Sequence, residues 1–180
     1  MIDRYTPTAI ALHWLIALLI FAAFPLGLYM HDLPLSPTKL RLYSYHKWIG
    51  VTIFMLAIFR LWWRARHPTP ALPLTMKKWE KIAAHATHHS IYLLLIIIPL
   101  SGWLMSSAKG FQTVWFGVLP LPDLVGKNKE LAATLETLHI IFNFTLLALV
   151  VAHIGAAIKH HYAERDDILT RMLPFLQKRS

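Results

Sequence analysis

The chain has 180 residues, is 56% hydrophobic, carries a formal net charge of +9 and contains no cysteine. A mean hydropathy of +0.48 is too apolar for most soluble domains of this length. The missing thiols exclude disulfides, iron–sulfur clusters, thiolate catalysis and any prosthetic group attached through sulfur.

No Lys, Arg, Asp or Glu occurs in residues 9–30, 90–108 or 138–158. Apolar runs of about 20 residues match a hydrocarbon core of about 30 Å at about 1.5 Å per helical residue. The first predicted membrane helix covers about 8–29. It lacks a basic leader and a small-x-small site, so no cleaved signal peptide is expected. The second covers about 42–64. It carries Lys47 and Arg60 near its ends, where long side chains can reach the headgroups, and Trp48 and Trp62–Trp63 mark its interfaces. The proline-rich HPTPALPLT that follows should be extended. The third helix covers about 83–107. Pro25 and Pro99 fall inside the first and third helices, which membrane helices tolerate when neighbours satisfy the freed carbonyl. The longest connection, 109–135, contains FQTVWFGVLPLP and is expected to fold back on the outer surface. The fourth helix covers about 136–159. No repeat or low-complexity tract divides the chain. The expected architecture is one domain, residues 1–180, all-α, an integral membrane four-helix bundle.

Orientation follows from Lys and Arg in the short connections. One side holds Arg4, Arg60, Arg64, Arg66, Lys77, Lys78, Lys81, Lys159, Arg165, Arg171, Lys178 and Arg179. The other holds Lys39, Arg41, Lys47, Lys109, Lys127 and Lys129. Both termini are therefore expected in the cytoplasm. Basic residues beside membrane spans suit anionic lipid headgroups rather than nucleic acid.

Eleven histidines are present. His31 and His67 fall near loops and carry no assignment. His13 and His153 share the inner level of the bundle, while His46 and His139 share the outer level. His139 and His153 are fourteen residues apart, about 21 Å along a helix and nearly on one face. One helix thus offers an imidazole at each of two levels, and the first two helices supply a facing partner for each. Two histidines on opposite sides of a bundle are what a six-coordinate haem iron needs, so two pairs imply two stacked b-type haems. Any one of these histidines could instead hydrogen-bond a neighbouring helix, but intramembrane ionisable residues are costly and usually functional. Gly50 and Gly155, with Ala156 and Ala157, would leave room for a flat macrocycle, though small residues also serve helix packing. Asn143 follows His139 by one turn on the same face; it could bond a haem edge or a ligand ring, but a bond to another helix is the expectation.

His85, His88, His89 and Tyr92 have i, i+3, i+4, i+7 spacing at the inner start of the third helix, with His160 and His161 at a similar level. A histidine near neutral pKa can relay protons, so this set could form a quinone pocket. It could equally be a set of interfacial histidines in headgroup water. His88 could also replace His153 at the inner haem. The outer lysines and Arg41 could steer a small anion by electrostatic focusing, or serve propionate pairing and loop solvation.

The chain resembles the bacterial cytochrome b561 family over essentially its full length. The matching pieces are RYTPTAIALHWLIALL, HKWIGVTIFMLAIFRLWWRARHPTP, AHATHHSIYLLLIIIPLSGWLM, TLHIIFNFTLLALVVAHIGAAIKHHY and DDILTRMLP. The specific part is His-Trp on the first helix, Arg-x-x-x-Arg with Pro-x-Pro after the second, and His-x₁₃-His followed by His-His-Tyr on the fourth. The 109–135 connection matches least. The resemblance implies two noncovalent haem b groups, held by His13 with His153 and by His46 with His139. It implies a ubiquinone site on the cytoplasmic side, with His88 and His161 as working residues. It also implies superoxide as the periplasmic electron donor, which makes the expected activity superoxide:ubiquinone oxidoreduction in the bacterial inner membrane. Two rivals stand beside it: a cytochrome b subunit that takes electrons from a dehydrogenase or hydrogenase partner, and a divalent-metal transporter using the histidines. Against the transporter, the apolar spans hold no carboxylate and the histidines lie at two separated levels.

Overall fold

The computed structural model describes residues 4–176; Lys178 and Arg179, counted above on the cytoplasmic side, lie outside them. Four helices dominate: α1 (Pro7–Asp32), α2 (Pro37–Arg66), α3 (Lys78–Lys109) and α4 (Lys129–Lys159). All four are long and apolar enough to cross a membrane. Each extends past its predicted span because the apolar run measures bilayer thickness, whereas caps end the helix. Thr6 and Ser36 each accept a backbone N–H at 3.2 Å with a proline at the next position, and Asn128 accepts that of Leu131 at 3.0 Å. The Glu80 carboxylate accepts the Lys77 N–H at 3.1 Å, and left-handed Gly110 (φ 76°) closes α3.

The helices pack in chain order, α1 on α2, α2 on α3 and α3 on α4. Phe24 and Phe144, with ring centres 5.6 Å apart, bridge α1 to α4. One end of the bundle, here the terminal end, carries the start of α1 and the end of α4; the other is the hairpin end. Every helix contributes to one apolar cluster: Ile16, Ile53, Ala57, Leu94, Leu95, Ile98 and Leu146. The cluster lies midway between the two histidine levels, since Leu146 is seven residues from both His139 and His153. A second cluster, Ala108, Ala132 and Leu135, locks α3 to α4 at the hairpin end. Outward faces are apolar and open, with Leu18 65% and Val151 62% exposed. Lipid is the solvent such surfaces require.

The 109–135 connection does fold back. It forms a small hairpin, β1 (Val114–Trp115) and β2 (Leu119–Pro120), against α2. At the terminal end, Trp63 donates to Thr6 at 2.9 Å. The α-helical part of α4 stops at Lys159, and His160–Glu164 form one π-helical turn that ends in left-handed Arg165 (φ 53°). A short helix, α5 (Ile168–Met172), then tucks beneath the bundle, and Trp14 donates to the Met172 carbonyl at 2.8 Å.

Ala57 is 0% exposed at the centre of the main cluster. Ala57→Leu should overpack it and destabilise the bundle by about 1–3 kcal/mol, read as a lower thermal midpoint in detergent. An unchanged midpoint would mean that the cluster yields.

Candidate functional site

The sequence-predicted pairs do meet. His46 on α2 and His139 on α4 have ring centres 6.3 Å apart at 76°. His13 on α1 and His153 on α4 have centres 6.1 Å apart at 67°. The inward stripe of α2 explains one side: His46, Gly50, Ile53, Ala57 and Arg60 alternate at four- and three-residue spacing.

The hairpin-end pair opens on an apolar cavity of about 230 Å³ lined by residues of all four helices, including His46, Gly50, Ile53, Leu95, His139 and Asn143. A side chain at Gly50 would meet nothing within 4 Å. Gly50 thus leaves the room expected of it. Gly155 does not, because it is exposed and about 200° round the helix from His153. Asn143 donates to the His139 carbonyl of its own helix at 2.7 Å, not to another helix as expected.

His139 is fixed by α3. Its Nδ1 lies 3.1 Å from the Ile98 carbonyl and 2.9 Å from Ser101 Oγ, whose hydroxyl donates to the same carbonyl at 2.7 Å. A carbonyl can only accept, so Nδ1 carries the proton and Nε2 keeps its lone pair free. This is the tautomer a metal ligand needs. His46 Nδ1 is buried without a well-formed hydrogen bond, with the Ala23 carbonyl nearby.

Two glycines admit these rings. A Cβ at Gly27 would sit 3.1 Å from His46 Cε1, and one at Gly102 would sit 3.1 Å from His139 Cε1. Each glycine lies within a turn of a helix proline, Pro25 or Pro99. Sequence reading missed Ser101, Gly27 and Gly102; the visible signal was the Pro-x-Gly and Pro-x-x-Gly spacing inside otherwise apolar runs.

The terminal-end pair has a different setting. No hydrogen bond reaches the His13 or His153 rings among the described residues. His88 lies with its ring centre 5.1 Å from that of His153, and its Nδ1 bonds the Ala84 carbonyl at 2.7 Å, which leaves Nε2 free. Arg60 turns into the bundle rather than out to the headgroups. Its Nε donates to Tyr92 Oη at 2.9 Å, and Arg60 and Arg64 both approach the Tyr92 ring. The expected four-residue face on α3 therefore divides. His88 and Tyr92 turn inward, while His85 and His89 are exposed.

His160 and His161 also part company. His160 pairs with Glu164 at 2.9 Å and Asp166 at 2.6 Å, and Glu164 is shared with Lys159, which also holds Glu80 at 2.7 Å. His161 is buried and its Nδ1 has no hydrogen-bond partner among the described residues. At the hairpin end, Lys39 donates to the His31 and Leu33 carbonyls, Lys47 to the Phe111 carbonyl, and Lys109 pairs with Glu136.

These features define a membrane-spanning helical bundle with histidine pairs at two depths. The chain belongs to the prokaryotic cytochrome b561 family, whose model matches residues 4–175. It is 33% identical to Cytochrome b561 homolog 2 of Escherichia coli (strain K12), over 95% of this chain and 92% of that one. It is 31% identical to the Probable superoxide oxidase CybB of Yersinia pestis, over 97% and 98% of the two chains. Cytochrome b561 homolog 1 of Escherichia coli (strain K12) is 30% identical over 96% and 98%. Membership makes the chain a membrane cytochrome of the b type.

A double-mutant cycle tests the ring-on-glycine contact. Gly102→Val should lower stability by about 1–3 kcal/mol, and His139→Ala in the same chain should recover part of that loss. Additive losses would show that Gly102 and His139 do not share the space.

Proposed function

We propose that the chain holds two noncovalent haem b groups and carries electrons from superoxide at the hairpin end to ubiquinone at the terminal end. His46 with His139 would hold one haem, and His13 with His153 the other. The terminal end would face the cytoplasm of a bacterium and the hairpin end the periplasm, across the inner membrane, as the excess of Lys and Arg at the terminal end suggests.

The spacing of the two pairs carries this reading. An imidazole nitrogen lies about 2.0 Å from its metal and its ring centre about 1.1 Å further back, so two ligands across one metal place their centres about 6.2 Å apart. The pairs have 6.1 and 6.3 Å. His88 and His153, at 5.1 Å, are too close to hold one metal between them. His153 has the ligand spacing to His13, and the Nε2 of His88 is available for other work.

The haems, when bound, supply one-electron carriage between the two levels. The chain's own residues do the rest. The His139 hydrogen bonds keep its coordinating nitrogen aimed. The apolar cluster between the levels excludes water. Arg60 and Arg64 have no carboxylate partner among the described residues, so they are suited to the propionates of the terminal-end haem. Two superoxide anions lose one electron each and leave as dioxygen; one ubiquinone gains both electrons and two protons. His88 and the buried His161 are the candidate groups to pass those protons and to bind the quinone oxygens. Arg41, Lys127 and Lys129 make no hydrogen bond or ion pair among the described residues, and they present the positive field that would draw an anion to the hairpin end. The name of the Yersinia pestis relative favours superoxide as donor.

The first test is a dithionite-reduced minus oxidised spectrum with pyridine-haemochrome quantification. Two haems b per chain are expected, and His139→Ala and His153→Ala should each lose or perturb one. A colourless protein from haem-replete cells would end the reading.

The second is superoxide-driven reduction of a ubiquinone analogue in liposomes. His88→Ala and His161→Ala should each slow it by about 100-fold while keeping both haems. Full rates in both variants would move the quinone site elsewhere.

A further inference from the structure

The connection between α3 and α4 would ordinarily be read as an aqueous cap on the hairpin end. Its hairpin lies against a different surface. α2 carries a second stripe opposite the one facing the cavity: Trp48, Thr52, Met55, Phe59 and Trp62. Its lower members are open, with Met55 51%, Phe59 42% and Trp62 47% exposed, so this stripe faces lipid. The hairpin lies on the upper part of that same stripe. Trp48 Nε1 donates to the Val114 carbonyl at 2.7 Å, and Trp115 Nε1 reaches Thr52 Oγ1 at 3.3 Å. Thr52 is six residues past His46, about 9 Å deeper into the bundle. The Trp115 indole thus reaches below the level of the hairpin-end histidines, on the outside of α2.

We infer that the Val114–Pro120 hairpin is inserted into the lipid leaflet at the hairpin end, where its tip meets acyl chains rather than water. Residues 110–122 contain no charge. The side chains the hairpin leaves open are apolar: Phe116 is 56%, Val118 83% and Leu119 51% exposed. Irregular backbone survives in lipid only when its polar groups are satisfied from within. Here the strands pair Val114 with Pro120 and Trp115 with Leu119. The turn bonds Gly117 N–H to the Val114 carbonyl and Val118 N–H to the Trp115 carbonyl, and Leu121 N–H reaches the Thr113 carbonyl. The turn also holds Phe116 at φ 50°, uncommon for a bulky residue. Ring contacts to Trp48 and Trp115, at 5.4 and 5.0 Å, hold it there. The aromatic cluster is of the kind that collects where headgroups meet acyl chains. The hairpin therefore extends an established lipid-facing surface, and its occupant is lipid. None of this depends on what the histidine pairs bind.

The cysteine-free chain suits the test. Val118→Cys, Val151→Cys (open face of α4) and Glu130→Cys (exposed first turn of α4) would each carry one nitroxide in phosphatidylcholine nanodiscs. Collisional relaxation is then measured with dioxygen, which partitions into lipid, and with a polar nickel chelate, which stays in water. At position 118 the dioxygen effect should exceed the nickel effect several-fold, as at 151 and opposite to 130. A nickel effect equal to or above that of dioxygen would place the hairpin in water. Low accessibility to both would mean that protein, such as a second copy of the chain, covers it. Either result overturns the inference. Leu119→Cys gives the same readout if Val118→Cys does not fold.

Discussion

Every polar atom inside these four helices must find its partner within the bundle, because lipid offers none. The imidazoles meet this constraint unequally. His139 is held by the Ile98 carbonyl and the Ser101 hydroxyl of the neighbouring helix, and glycine at 102 lets the ring come close enough. His13 and His153 have no such support among the described residues and face each other, with His88 beside them. At one level His139 is therefore pre-aimed, while His46 relies on packing against Gly27. The other level is surrounded by groups able to move protons, which suits the end proposed to reduce a quinone.

The same constraint distributes the charges. Ion pairs gather at the terminal surface, where Lys159, Glu80, Glu164, His160 and Asp166 form one network around the π-helical turn. That network commits His160 to structure and leaves His161 buried, its Nδ1 without a hydrogen bond among the described residues. Arg60 departs from the pattern, since it turns inward to Tyr92 at the depth of the His13–His153 pair. An intramembrane cation without a carboxylate is a functional feature by default. Between the two levels lies only the apolar cluster, so the proposed haems would be linked across a dry spacer.

Much of this was legible in the chain. Four charge-poor runs mark four helices because bilayer thickness demands about 20 apolar residues. Depth along each helix is counted residue by residue, which is why His13 with His153 and His46 with His139 could be paired before any fold was seen. The failures have separate causes. Gly155 is misplaced because helical periodicity alone puts it about 200° from His153, whereas His85 and His89 separate from His88 and Tyr92 because rotation about a helix axis depends on which neighbours it packs against. Asn143 was expected to reach another helix but bonds its own, a choice made by local geometry that spacing does not encode.

The sequence by itself determined the number of membrane helices, the levels at which their histidines lie and the family, since these depend on composition, residue spacing and motif. Tertiary structure decided which side chains turn inward at each level. It brought Ser101 and Gly102 against His139, set His88 beside His153, drew Arg60 to Tyr92 and laid the Val114–Pro120 hairpin along the outside of α2. Those outcomes depend on the rotation and separation of packed helices, and residues far apart in the chain settle both.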